Sequence, residues 1–264
     1  KLISFHSEDQ GVLNKRKKYI KRGDPKSHPI WRNESVCLTC TKHLVKLANL
    51  TKKKIHILHI TTAEEIELLN KNKKFISYEV TPQHLTLSSP SCYNKLGSLA
   101  QMNPAIRSNK HLSRLRKALK NNEIDIVGSD HAPHTLAEKK QEYPDSPSGM
   151  PGVQTLMPIL LNEVSKKTIS INNVVQLTSY NPIKRFKVKN KGLIKEGYDA
   201  DFTFVDLTKT KKISNKLILS KCGWTPFHGM KIKGWPVGTM INGNKVFWNE
   251  KIIGKPIGKP IKFN

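Results

Sequence analysis

Residues 128–139 read Gly-Ser-Asp-His-Ala-Pro-His-Thr-Leu-Ala-Glu-Lys, which places Asp130, His131 and His134 within five positions. Pro133 stiffens this stretch, and three groups so spaced cannot line one face of a helix. A loop leaving the apolar run at 124–127 can present all three to one pocket. Two further imidazoles stand at or just after apolar runs, His6 in Phe5-His6-Ser7-Glu8-Asp9 and His59 in His56-Ile57-Leu58-His59. His56 and His59 are three apart and point to opposite faces of a strand, so only one is a ligand candidate. His59, nearer the strand end, is the better choice. Two imidazoles and a carboxylate suit zinc, which lowers the pKa of bound water from about 15.7 to about 7. An Asp beside that water can accept its proton and deliver it to a leaving nitrogen. The chemistry in view is hydrolysis of an amide. The set is partial, because a catalytic zinc usually takes three protein ligands besides water.

The elements that must position these residues alternate along the chain. Short apolar runs at 1–5, 54–60, 75–80 and 123–128 read as strands, and helical patterns fall at 34–50, 63–70, 109–120 and 153–164. Strand–helix alternation predicts parallel βα units, whose functional groups gather past the C-terminal ends of the strands. His6, His59 and Asp130 all occupy that location. From about Gly192 the grammar changes. Residues 192–206 read as a turn and a strand, and 237–248 as a hairpin with Asn242-Gly243 at its turn. The expected organisation is an α/β part over residues 1–190 and a β tail over 191–264. Cys37, Cys40, Leu44 and Leu47 follow helical spacing, so the two thiols read as part of an apolar helix face. With Cys92 and Cys222 they suggest no disulfide framework, and a reducing cytoplasm is the expected compartment.

The 264 residues carry 46 Lys+Arg against 20 Asp+Glu, a formal charge of +26. Such a balance invites nucleic-acid binding. Only seven of the basic residues are Arg, the residue of bidentate phosphate and base contacts. Lys, Asn and Ile are abundant together along the chain, as an AT-biased genome would write, and composition drift is the better account. No run approaches the roughly 18–20 apolar residues of a membrane span, and the first residues lack the layout of a signal peptide.

The run Gly128-Ser129-Asp130-x-Ala132-Pro133-His134-x4-Lys139 resembles the C-terminal signature of the dihydroorotases of the amidohydrolase superfamily, and the resemblance covers nearly the whole chain. The blocks around His6 and His59 look like that family's fifth- and sixth-strand metal motifs. Residues 79–85, 102–107, 197–201 and 222–227 look like further blocks of it. The resemblance implies a (β/α)8 TIM barrel, here a partial one of about strands 5–8, followed by part of a small β-sandwich. It implies interconversion of L-dihydroorotate and N-carbamoyl-L-aspartate in pyrimidine synthesis, with two Zn2+ per complete site. Carried over residue by residue, His6 and His59 would bind one metal, and Asp130 would bind the other and shuttle the proton. His134 would hold the substrate carboxylate, and Asn103 and the backbone near Gly149 would contact the ring.

The family's first-strand His-x-His-x-Arg and its fourth-strand bridging Lys or Asp have no counterpart here. With no initiator Met, the expectation is a C-terminal part of a longer enzyme, inactive by itself. The partners expected are the small-molecule substrate, a second copy in a homodimer, or aspartate transcarbamoylase. Rival readings are a sister cyclic amidohydrolase of allantoinase or hydantoinase type, and a non-catalytic dihydroorotase-like subunit. Retention of His6, His59, Asp130 and His134 speaks against the latter.

Overall fold

The computed structural model describes residues 2–263; Lys1, where the first expected strand begins, and Asn264 lie outside the described residues. The four expected βα strands form at β1 (Ile3–Phe5), β2 (Ile55–Ile57), β3 (Ile76–Val80) and β4 (Ile126–Val127). They make one parallel sheet in chain order. Its register aligns Phe5 with Ile57 and Ile57 with Tyr78, and further along Val80 with Val127. Every residue of β2 is buried, as are Ile76, Ser77, Tyr78 and Val80 of β3. Continuous rather than alternating burial is what a parallel sheet covered on both faces requires.

The helix between β2 and β3 starts where side chains satisfy its first N–H groups. Thr62 caps the Ala63–Asn70 helix in a reciprocal box with Glu65, whose backbone N–H donates to the Thr62 hydroxyl at 3.1 Å. Glu65 is itself buried, and Thr41 donates to its other oxygen at 2.8 Å, tying this helix to Glu34–Thr51. That contact corrects the face expected for Glu34–Thr51. The inner stripe is Val36, Cys37, Thr41, Leu44, Val45 and Ala48, while Cys40 is only half-buried and Leu47 is 43 % exposed. A polar residue, Thr41, took an inner position because its hydroxyl has buried partners in Glu65 and Ser7, which hydrophobic periodicity cannot register. The Asn109–Lys120 helix has the expected bounds and buries Leu112, Leu115, Ala118 and Leu119.

The chain forms two compact units. One comprises Lys1–Leu156 with Ser214–His228, the other Met157–Ile213 with Gly229–Asn264. The second unit is built on an antiparallel sheet, β5 (Phe202–Lys212), β6 (Lys231–Ile241), β7 (Asn244–Trp248) and β8 (Lys251–Ile252), in that order. Asn242 (φ 49°) and Gly243 (φ 77°) form the two-residue turn between β6 and β7, both left-handed as a tight hairpin demands. Among the described residues no helix is long and apolar enough to cross a membrane.

Candidate active site

The C-terminal ends of β1, β2 and β4 deliver His6, His59 and Asp130. His59 and Asp130 are non-glycine residues with left-handed backbones, at φ 37° and 41°. Such a residue costs roughly 1–2 kcal/mol, and its neighbours must hold it. At His59 they do: Leu58 N donates to Phe5 O at 3.0 Å and Ile60 N to Glu79 O at 2.8 Å, one bond on either side. The sheet register continues past His59 while the residue itself turns out of it.

This turn brings His59 Nε2 to 3.0 Å from His6 Nδ1, with the rings edge to face. His6 Nε2 lies 2.9 Å from Glu8 Oε2. A proton placed between His6 Nε2 and that carboxylate leaves Nδ1 as a lone pair facing His59. The Glu8 side chain is 1 % exposed and also pairs with Arg32. Burial opposes its ionisation, but the His6 hydrogen bond and the Arg32 charge prevail and hold it below the usual carboxylate range. Burial likewise pushes His59 below its ordinary value, opposed by the Asp130 charge. Burial raises Asp130, opposed by His59 and reinforced by Glu79. Asp130 thus shares one electrostatic environment with both imidazoles. His56 is engaged elsewhere, with Nδ1 at 2.8 Å from Ser77 Oγ and Nε2 at 3.3 Å from Glu79 Oε2.

Two zinc–nitrogen bonds of about 2.05 Å at a tetrahedral angle span roughly 3.3 Å between the nitrogens. The 3.0 Å between His6 Nδ1 and His59 Nε2 is close to that span. Among the described residues no group of three or more His, Cys, Asp or Glu side chains is placed to hold a metal. The residues fit a metal as part of a ligand set.

Beyond Asp130 the loop's other two imidazoles have separate partners. His131 Nδ1 accepts from Gly152 N at 3.1 Å. His134 turns to the segment 146–149, its Nε2 3.2 Å from Ser148 O. Gly149 is required there. Its φ is 143°, and a Cβ would sit 2.6 Å from Ala132 O and 3.2 Å from His134 Cδ2. Gly149 N donates to Gln101 O at 2.9 Å. The same carbonyl accepts from Lys139 Nζ at 2.9 Å, and Lys139 also reaches Pro147 O at 2.7 Å. Lys139 is fully buried, and burial depresses its ammonium to about 7. Asn103, half-exposed, has its Oδ1 3.2 Å from His28 Nε2, which also lies 2.9 Å from Met102 O. A His28 N–H shared between these oxygens leaves the Asn103 amide nitrogen free to face away. Burial depresses His28 to about 4, so it is neutral.

Three contributors escaped sequence reasoning. Glu79 was legible in principle, as a carboxylate one residue from a strand end, and its carboxylate packs so tightly on Gly128 that a Cβ there would meet it at 2.6 Å. His28 carried no usable signal, its partner lying 74 residues away, and Lys139, although it closes the signature at 128–139, gave no sign of the carbonyl 38 residues away that holds it.

Residues 2–246 match the profile described as Amidohydrolase family. A curated dihydroorotase from Pyrococcus furiosus is 35 % identical over 261 residues, covering 98 % of this chain and 58 % of that protein. One from Methanosphaera stadtmanae is 33 % identical over 256 residues, covering 92 % and 58 %. Among solved structures, dihydropyrimidinase from Brevibacillus agri superposes with a TM-score of 0.88 at 26 % identity, over 96 % of this chain and 58 % of that one. L-Hydantoinase from Arthrobacter aurescens gives 0.92 at 24 %, over 97 % and 59 %, a likeness of fold. The chain spans just under three-fifths of the length of these relatives.

Proposed function

The chain belongs to the amidohydrolase family, and from that premise we propose that it is the later part of a dihydroorotase. In this reading β1–β4 are about the fifth to eighth strands of a (β/α)8 barrel, and the reaction is reversible hydrolysis of L-dihydroorotate to N-carbamoyl-L-aspartate. The observation that carries the reading is the approach of His6 Nδ1 to His59 Nε2 at 3.0 Å, beside Asp130. The curated relatives named dihydroorotase support the choice of substrate.

His6 and His59 would hold zinc, which when bound polarises a carbonyl and brings the pKa of water to about 7. Asp130 takes the proton of the attacking water. The ring C–N bond breaks as the water oxygen joins the carbonyl carbon, and Asp130 returns the proton to the departing nitrogen. His134 pairs with the substrate carboxylate, while the Asn103 amide and the backbone at Gly149 meet the ring. Two imidazoles fall short of the three protein ligands usual for catalytic zinc, so the 264 residues alone are taken to be inactive.

The substrate carboxylate separates this reading from a hydantoinase-like one, which the solved structures favour by fold. The test offers dihydroorotate, dihydrouracil and allantoin to the zinc-loaded product of the complete reading frame and to the 264-residue chain. The expected result is opening of dihydroorotate by the former alone, with His59→Ala and Asp130→Asn each lowering kcat at least about 1000-fold, near 4 kcal/mol. Preferential opening of dihydrouracil or allantoin would overturn the substrate, and turnover by the 264 residues alone would overturn the incomplete site.

A further inference from the structure

The block Cys222-Gly223-Trp224-Thr225-Pro226-Phe227 plays no part in the chemistry above, yet it returns to the unit that holds Asp130. Trp224 is 1 % exposed, and its Nε1–H donates to His134 O at 2.8 Å. The indole lies in a buried cluster with Met102, Met150, Ile106 and Tyr93. Met102 immediately precedes Asn103, and Met150 immediately follows Gly149. One side chain therefore backs the peptide of His134 directly and the anchors of Asn103 and Gly149 through packing. The block is itself pinned: Thr225 N donates to Asn215 Oδ1 at 3.1 Å, and Phe227 N to Thr225 Oγ1 at 3.3 Å.

We propose that Trp224 is a positioning residue that orients His134 toward a carboxylate on the substrate. The hydrogen bond sets the plane of the peptide following His134, and the Ser148 contact sets its ring. With both termini of the side chain's path fixed, His134 meets an anionic group without reordering, which lowers the cost of binding. Removing the indole N–H frees the peptide while leaving zinc ligands untouched. The carboxylate is the part of the ligand that suffers, so a ring without one should not notice the change. This inference rests on the substrate reading above.

The experiment is Trp224→Phe in the complete zinc-loaded protein, which keeps an aromatic ring in the cluster and loses the donor. KM for dihydroorotate is expected to rise about tenfold with kcat and the residual opening of dihydrouracil unchanged. Alongside, the rate at which diethyl pyrocarbonate modifies His134, measured against the exposed His43, is expected to rise several-fold. An unchanged His134 rate overturns the positioning role whatever the substrate. A faster rate with no dihydroorotate opening by the unsubstituted protein refutes the substrate reading and leaves the positioning of His134 standing. Equal loss toward both rings makes Trp224 a packing residue and overturns the proposal. If Trp224→Phe does not fold, a benzothienyl analogue at 224, isosteric but without the N–H, gives the same readouts.

Discussion

Burial of Lys139 makes the stability of this chain rise with pH. Its ammonium is fully buried against Gln101 O and Pro147 O, and burial brings it from 10.5 to about 7. Below pH 7 the group is charged in both the folded and the unfolded chain, and the cost of burying the charge is felt in full. Between about 7 and 10.5 the folded chain has released the proton while the unfolded chain still holds it, so stability rises with pH. The slope approaches about 1.4 kcal/mol per pH unit. From pH 6 to pH 9 the gain from this one residue is about 3 kcal/mol, of the order of 5–10 °C in Tm for a domain this size. Other groups titrate over the same range, so the quantity to measure is a difference. Urea unfolding of the unsubstituted chain and of Lys139→Met at pH 6, 7.5 and 9 isolates it. The stability advantage of the unsubstituted chain over Lys139→Met should grow by about 3 kcal/mol across that interval. A difference that stays constant within about 0.5 kcal/mol would show that the two carbonyls hold the ammonium charged throughout, and the reasoning would fail.

Gly152→Ala should cost about 1–3 kcal/mol in urea unfolding, because a Cβ there would lie 2.3 Å from Ser129 O, a backbone atom that cannot yield without moving Asp130. Arg107 is buried, donating to Thr61 Oγ1 at 3.1 Å and to Arg32 O, with its charge acting on Glu8, Glu34 and Glu65. Arg107→Met leaves those groups uncompensated and should lower stability by about 3–5 kcal/mol, read as a fall in the urea midpoint at constant slope.

The strand and helix order was legible because each element is a local matter. Ile55, Ile57, Ile76 and Val80 are apolar runs that any parallel sheet would bury, and the Ala63–Asn70 helix carries its own cap in Thr62 and Glu65. The hairpin at Asn242-Gly243 was legible for the same reason, since two left-handed residues in succession are a property of that dipeptide. Leu47 shows where local reading stops. Its spacing put it on the inner face, and Thr41 holds that face because of a carboxylate 24 residues away.

The candidate site obeys the same division between local and distant causes. That His6, His59 and Asp130 stand at strand ends could be read from the runs before them, but their approach could not. It depends on the left-handed turns at His59 and Asp130, which neither residue type prefers strongly and which the sheet register enforces from both sides at His59. The side proposed to meet the substrate is more extreme. His134, Gly149 and Asn103 are placed by Trp224, Lys139, Gln101 and His28, contacts spanning 38 to 90 residues. Type and spacing marked His6, His59 and Asp130 as candidates and the family resemblance supplied His134, Gly149 and Asn103, while the residues that hold them acquire their role only when the chain is folded. On the proposed reading, a substitution at one of these supporting residues should therefore alter ligand discrimination while sparing the imidazoles proposed to bind metal, and one at His6 or His59 should do the reverse.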